Sequence, residues 1–206
     1  MPKSYTKLTR QYWEKFYAAD IPEIQVPSSF ALFCMQTYLE GKKTLIDLGC
    51  GNGRDTKFFK TCDMDTLGVD LYNNTDPLMG KFLCADFTRL STDLGKFDVI
   101  YSRFSVHAVN ERAEGRVLRW AKESLAPGGV FCIEARTDKD PLCGCGVSMG
   151  FNAWFTDHYR RFLSYDKFQQ RLVSKGFKIL FTQESSGLSI KDDDDPVLLR
   201  IICTNS

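Results

Sequence analysis

The chain has 206 residues, of which 27 are basic and 26 acidic, and its formal net charge is +1. This balance provides no overall field to attract nucleic acid or an anionic membrane, so either partner would need a local patch. The first residues lack the apolar region of a secretory signal, and no segment approaches the apolar length that crosses a membrane. We therefore expect a single cytoplasmic domain over residues 1–206, with no membrane partner.

Cysteines are numerous but scattered. The eight residues lie mostly inside apolar patterns, which favours buried free thiols over disulfides. Only Cys143 and Cys145 lie close together, and their one-residue spacing differs from that of a zinc knuckle. Because His107 and His158 are the only histidines, we predict no metal site.

The N-terminal segment carries two helix signals. Leucine and aromatic residues recur at helical spacing over residues 8–18, which predicts a helix with an aromatic face. Further on, Ser28 or Ser29 can cap a second helix. We interpret residues 1–43 as helices that pack on a sheet edge or form a lid.

The stretch TLIDLGCGNGRDTKFF, residues 44–59, combines a short apolar strand, three glycines at alternate positions and the start of a helix. Glycines at such a turn let the backbone bend sharply or approach a ligand closely. The stretch lacks the lysine and hydroxyl pair of a phosphate loop, which argues against an ATPase. Asp70 and Asp86 end the next two apolar runs, where carboxylates can bind a ribose and an exocyclic amine.

From Thr44 onward, strand and helix signals alternate. Apolar runs predict strands at 44–48, 66–70, 81–85, 97–102 and 129–136, and helical spacing predicts helices at 54–61 and 110–124. This alternation indicates βαβ units, and therefore a doubly wound α/β fold whose mainly parallel sheet binds ligands at the carboxyl ends of its strands.

The remaining third of the chain is less regular. Residues 138–163 form a long connection rich in glycine, aromatic and charged residues, which is typical of an active-site loop or lid. A helix is predicted over 164–175, and two final apolar runs occupy 177–183 and 197–204. The acidic residues 192–195 between these runs read as a solvated turn.

Five ordered segments resemble the signatures of class I S-adenosylmethionine-dependent methyltransferases: LIDLGCGNGRD, GVDL, CADF, FDVIYSRFSVHAV and LAPGGVFCIEAR. The resemblance covers residues 25–204, and the overall pattern is similar to that of tellurite-resistance-like and glycan-modifying small-molecule enzymes. It implies a seven-stranded sheet with a C-terminal antiparallel strand and helices on both faces. It also implies that S-adenosylmethionine is the cofactor and S-adenosylhomocysteine the product.

By this resemblance, the methionine part of the cofactor lies at the glycine-rich turn, the ribose at Asp70 and the adenine at the end of the third strand. An acidic rim suits a cofactor that carries a sulfonium and an ammonium group. Arg54 is the exception, and we expect it to face the cofactor carboxylate or turn outwards. The predicted cofactor-binding residues are Asp47, Gly49, Gly51, Gly53, Asp70, Leu71, Asp86, Phe87 and Ser102.

The acceptor is expected beyond the fourth and fifth strands. Methyl transfer from a sulfonium depends mainly on alignment, and a base is needed only when the acceptor must lose a proton. A histidine that titrates near neutral pH can be that base, so His107, with Arg103, is our catalytic candidate. The alternative is that His107 orients the start of a helix.

Arginines beside aromatic residues in AWFTDHYRRF suggest an oxyanion site, because guanidinium groups bind carboxylates and phosphates bidentately. The predicted acceptor-binding residues are Arg103, Arg136, His158, Tyr159, Arg160 and Arg161. The alternative is a basic surface turn whose arginines pair with Asp138, Asp140 or Asp157.

We therefore predict methyl transfer to an oxygen or nitrogen atom of a small anionic acceptor. One alternative is an RNA methyltransferase, acting on tRNA or a cap, for which Lys3, Lys7, Arg10 and Lys15 would supply a small basic stripe. The neutral overall charge makes nucleic acid the less favoured partner. The other alternative is a non-catalytic module that binds the cofactor or activates a partner.

Overall fold

A computed structural model describes residues 3–18, 26–73 and 80–205. Part of the predicted N-terminal lid, residues 1–2 and 19–25, lies outside the described residues. The helices are α1 (Lys3–Ala18), α2 (Ser29–Thr37), α3 (Arg54–Thr61), α4 (Glu111–Ser124) and α5 (Tyr165–Ser174). The strands are β1 (Thr44–Leu48), β2 (Asp65–Asp70), β3 (Lys81–Cys84), β4 (Phe97–Arg103), β5 (Leu125–Arg136), β6 (Val147–Gly150), β7 (Ala153–Phe155), β8 (Tyr159–Arg161), β9 (Phe177–Ser185) and β10 (Leu198–Asn205).

Seven strands form one sheet in the order β3-β2-β1-β4-β5-β10-β9. The first five are parallel neighbours, whereas β10 runs antiparallel to both β5 and β9. This confirms the predicted α/β fold with a C-terminal antiparallel strand. Because β1 to β5 are parallel, their carboxyl ends meet at one edge of the sheet.

Helices cover both faces of this sheet. Successive strand residues alternate between two apolar clusters, as the pleat of a strand requires, with Ile100 in one cluster and Tyr101 in the other. The first cluster contains Leu118 of α4 and Phe168 of α5. The second contains residues of α2 and α3, including the fully buried Phe59.

Side-chain caps fix where two of the helices begin. Ser28, rather than Ser29, caps α2, because its side chain accepts a hydrogen bond from the Ala31 amide. Asn110 caps α4 through the Ala113 amide at 2.9 Å. Each cap satisfies one of the free amide groups at a helix start.

Residues 138–163 are more ordered than a connection without secondary structure. They contain the three-stranded antiparallel sheet β6-β7-β8. This small sheet is joined to the main one where the Asp138 amide donates to the Leu163 carbonyl at 3.1 Å. The 192–195 segment also differs from prediction, because Asp194 is not simply solvated but forms an ion pair with Arg136.

All eight cysteines are free, and Cys34, Cys132 and Cys203 are buried, whereas Cys84 and Cys145 are exposed. Among the described residues, no group of three or more histidine, cysteine or acidic side chains could hold a metal ion. None of the described helices is long and apolar enough to span a membrane.

Candidate active site

The glycine-rich loop follows β1 and leads into α3. Gly49, Gly51 and Gly53 have φ angles of 74°, 56° and 74°, in the left-handed region that favours glycine. At Gly49, a Cβ atom would lie 2.7 Å from the Cβ atom of Ser105, so a larger residue would displace the segment that follows β4. The loop is therefore packed directly against the end of β4.

Asp70 ends β2 beside this loop. Its Oδ2 atom accepts a hydrogen bond from the Gly51 amide at 2.9 Å, and its Oδ1 atom accepts one from the Tyr72 amide at 2.8 Å. Burial raises the pKa of Asp70. Each carboxylate oxygen can still accept a further hydrogen bond, so the geometry suits the predicted ribose contact, which stays a prediction.

Asp47 lies beneath the glycine loop rather than in the open. Its side chain is buried and accepts a hydrogen bond from the Thr56 hydroxyl at 2.6 Å. Burial raises its pKa to about 7, and the negative charges of Asp55 and Asp70 act in the same direction. Asp47 therefore links β1 to α3 through Thr56, and direct contact with a cofactor stays a prediction.

The predicted adenine side is built from the ends of β2 and β3. Asp86 caps a short 3₁₀ helix, Phe87–Arg89, through the Thr88 amide at 2.9 Å. The Phe87 ring lies beside the glycine loop, 3.6 Å from the position of a Cβ atom on Gly49. Leu71 is 61% exposed next to Asp70 and offers an apolar surface. These positions suit the predicted adenine contacts, which stay a prediction.

Ser102 is fully buried near the end of β4. Its hydroxyl lies 2.5 Å from that of Ser105, the residue that packs on Gly49. Ser102 thus positions the segment against the glycine loop, and its predicted contact with the cofactor stays a prediction.

Arg54 binds the neighbouring Asp55, with Nε 3.0 Å from Oδ1. The Asp55 carboxylate also accepts hydrogen bonds from the Ser28 amide and hydroxyl, at 2.9 and 2.7 Å, and from the Tyr101 hydroxyl at 2.9 Å. Burial would raise the pKa of Asp55, but Arg54, Arg103 and these hydrogen bonds lower it below its usual value. Asp55 therefore connects α2, α3 and β4. An acidic residue in the first turn of a helix is favoured by the helix dipole, and this position is the sequence signal that could have indicated a structural role for Asp55.

Glu134 is a further buried carboxylate, on the fifth strand where the acceptor region is expected. It is fully buried on β5 and lies between two arginines. Its oxygens accept hydrogen bonds from Arg103 Nε at 2.9 Å and Arg200 Nε at 2.7 Å. Arg103 also donates to the Ser189 hydroxyl at 2.7 Å. Arg103 is thus held at the sheet edge from both sides.

His107 is buried after the end of β4, and its Nδ1 atom accepts a hydrogen bond from the Arg136 amide at 3.2 Å. Burial lowers the pKa of His107 well below its usual value, and the Arg136 charge adds to this. The histidine is therefore neutral and weakly basic. This arrangement favours the alternative role of orienting the segment after β4, and the general-base role stays a prediction.

The Arg136 side chain, in turn, binds two carboxylates, donating to Asp140 Oδ2 at 2.9 Å and to Asp194 Oδ1 at 3.2 Å. Arg136 ends β5 and is buried, so this pairing is separate from the predicted alternative, which concerns the arginines of the AWFTDHYRRF turn.

The HYRRF segment contacts α1. The His158 ring stacks on Tyr12 with a centroid distance of 4.2 Å and lies 4.7 Å from Trp13. Burial and the neighbouring Arg160 lower the pKa of His158 to about 3. Arg160 donates to Asp157 at 2.8 Å. His158 therefore holds the N-terminal helix as a neutral ring.

The other two residues of the segment also have protein partners. The Tyr159 amide donates to the Thr9 hydroxyl at 3.2 Å, a second link to α1. Arg161 donates to the Val109 carbonyl at 3.0 Å and forms a buried ion pair with Glu114. The structure thus brings Arg103 and Arg136 together around the Phe104 ring, at 4.3 and 5.9 Å, whereas Arg160 and Arg161 bind elsewhere.

Comparison with known proteins places this site in a family. Residues 18–180 match the profile described as a methyltransferase domain. Among curated proteins, the N-terminal Xaa-Pro-Lys N-methyltransferase 1-B of Xenopus laevis is 25% identical over 112 residues, which span 48% of this chain and 50% of that protein. The match therefore spans about half of the relative's length.

Two solved structures share the fold. The 1,6-didemethyltoxoflavin-N1-methyltransferase of Burkholderia thailandensis, with bound 1,6-didemethyltoxoflavin and S-adenosylhomocysteine, has a TM-score of 0.76 and 18% identity, covering 100% of this chain and 91% of its own. The glycopeptide N-methyltransferase MtfA, complexed with S-adenosylmethionine, has a TM-score of 0.65 and 14% identity, covering 91% of this chain and 100% of its own. Since the profile match spans most of the chain, the protein belongs to the methyltransferase-domain family, as its signatures predict.

Proposed function

We propose that the protein transfers a methyl group from S-adenosylmethionine to a nitrogen or oxygen atom of a small molecule. The observation that carries this proposal is the convergence of the glycine loop, Asp70 and Asp86 at the adjacent carboxyl ends of β1, β2 and β3. Family membership supplies the reaction class, and this edge supplies groups that fit the cofactor.

The fit rests on the chemistry of the residues present. The cofactor supplies an electrophilic methyl group on a sulfonium. Asp70 offers two oxygens for the ribose hydroxyls, and the glycine loop gives close access to backbone. Exposed Leu71 and the Phe87 ring offer apolar surface for the adenine. The chain's own task is to align the acceptor and to exclude water.

A nitrogen acceptor is the better supported choice, because the curated relative and both solved structures above are named as N-methyltransferases. These names describe those proteins, and their acceptors differ widely. The support therefore concerns the acceptor atom and not a particular molecule.

We also propose that the acceptor is anionic. The arginines of the predicted oxyanion site already bind carboxylates of the protein, so an anionic acceptor would have to replace one of them. Arg103 and Arg161 pair with side chains that are 0% and 1% exposed, Glu134 and Glu114. Breaking such a pair would leave a buried carboxylate with one arginine fewer to offset its charge, which costs free energy. In contrast, Arg160 pairs with Asp157, and Arg136 pairs with Asp194 in addition to the buried Asp140; Asp157 and Asp194 are each 47% exposed. An anionic acceptor would therefore displace one of these two carboxylates.

The test is turnover with S-adenosylmethionine that carries a labelled methyl group, in the presence of separate small-molecule, peptide and RNA fractions. We expect the label to enter a small molecule, identified by mass spectrometry, together with release of S-adenosylhomocysteine. Transfer of the label only to RNA or to intact protein would contradict the proposal.

A further inference from the structure

Phe104 has an unusual backbone conformation. Its φ angle is 56°, in a region that bulky residues rarely adopt because of steric strain. The other described non-glycine residues with positive φ all lie in exposed positions of turns and loops: Asp63, Phe151, Asn152 and Asp192. Phe104, by contrast, is partly buried and directly follows β4.

The strained conformation is held by the surrounding structure. The Phe104 amide donates to the Glu134 carbonyl at 2.9 Å, which continues the pairing of β4 with β5. The next residue, Ser105, is the one that packs on Gly49. Phe104 therefore stands at the carboxyl edge of the sheet, beside the loop proposed to bind the cofactor.

Planar groups surround the Phe104 ring. The Arg103 guanidinium lies 4.3 Å from the ring centroid and that of Arg136 lies at 5.9 Å. The His107 ring is 5.5 Å away at an interplanar angle of 54°. Both arginines bind carboxylates, Glu134 and Asp140, so their positions are fixed. These neighbours hold the Phe104 ring in one orientation.

We propose that Phe104 is an acceptor-binding residue whose ring stacks on a planar aromatic or heteroaromatic acceptor. A fixed ring among guanidinium and imidazole planes favours planar ligands, since offset stacking adds to the free energy of apolar burial. The backbone strain is then retained because it places this ring at the carboxyl edge of the sheet, next to the segment that packs on the glycine loop. This inference rests on the proposed methyltransferase function.

The experiment compares two neutral probes, naphthol and its saturated counterpart decahydronaphthol, on the full chain with S-adenosylhomocysteine present. Their dissociation constants are measured by ligand-detected NMR. We expect naphthol to bind about two- to tenfold more tightly, the ratio that corresponds to one aromatic stacking contact. The Phe104→Leu variant should lose this preference, and Phe104→Tyr should keep it.

Phe151→Leu is the matched control, because Phe151 also has positive φ, 53°, and is 91% exposed. It should leave the preference unchanged. The inference is overturned if the wild-type protein shows no preference, if Phe104→Leu retains it, or if Phe151→Leu removes it. Thermal melting confirms that each variant folds, and if Phe104→Leu does not fold, Phe104→Met takes its place and should lose the preference in the same way. Calorimetry with S-adenosylhomocysteine alone reports separately on the proposed function.

Discussion

Asp47 links the protonation of one side chain to the stability of the protein. Burial raises its pKa in the folded state to about 7, whereas an aspartate in an unfolded chain titrates near pH ~4. Between these two values, the folded protein holds a proton that the unfolded chain releases. The stability that this proton contributes is therefore fully present below about pH 4 and is lost as the pH rises through about 7.

We predict that the free energy of unfolding of the wild-type protein falls, relative to that of Asp47→Asn, as the pH rises over this range. Asparagine can still accept the Thr56 hydrogen bond but does not titrate. The relative loss should be up to roughly 4 kcal/mol, since each unit of pKa shift corresponds to about 1.4 kcal/mol. Urea unfolding at several pH values measures it. Parallel pH profiles for the two proteins would contradict the prediction.

Residue types in the acceptor region were readable from the sequence, but their partners were not. Arg136 binds Asp194, 58 positions away, and Arg161 binds Glu114, 47 positions away. Sequence spacing reveals pairs within one helix or turn, whereas these pairs form only when separate elements meet. The arginine cluster therefore predicted a binding chemistry without showing which of its charges are already paired.

Helix α1 is attached to the rest of the molecule through its contacts with the HYRRF segment. Tyr12 and Trp13 pack on His158, and Thr9 accepts from the Tyr159 amide. In the segment between β9 and β10, the Lys191 ammonium lies 5.4 Å from the centroid of the Phe16 ring. A helix held mainly by aromatic contacts can open without unfolding the sheet, which suits the predicted lid role.

We predict that Trp13→Ala increases amide hydrogen exchange throughout α1 by at least about twofold, because it removes an aromatic contact with His158. The melting temperature of the protein should change little. Arg10→Ala is the control on the same helix, since Arg10 is 73% exposed and pairs with Glu14. Equal exchange in wild type and Trp13→Ala would show that this contact does not hold α1.

The three-stranded sheet within residues 138–163 was not predicted from the sequence. β6, β7 and β8 have three or four residues each, too few for an alternating pattern to stand out. The parallel strands of the main sheet carry apolar runs, and each of their ends was predicted to within four residues. The glycine loop was predictable for the same local reason, since its signal lies in consecutive residues.

The charges near the site depend on how the strands of the main sheet align with one another. Arg103, Glu134 and Arg200 lie opposite one another on β4, β5 and β10. Burial raises the pKa of Glu134, while the two arginines act in the opposite direction. Predicting this row of alternating charge requires the register of three strands, which a single sequence does not provide.

The same register brings Ser105, the residue after Phe104, against Gly49 and places Asp70 next to the glycine loop. The proposed cofactor and acceptor regions therefore share one sheet edge. We predict that this carboxyl edge of the main sheet binds S-adenosylmethionine.

The most direct test is titration calorimetry of S-adenosylmethionine into the wild-type protein, Asp70→Ala and Asp65→Ala. Asp65 is the control because it begins the strand that Asp70 ends and its carboxylate forms an exposed ion pair with Lys81. We predict binding to the wild type, at least about tenfold weaker binding to Asp70→Ala through the loss of hydrogen bonds to a charged group, and unchanged binding to Asp65→Ala. No binding to the wild type, or equal affinity of Asp70→Ala and the wild type, would contradict this account.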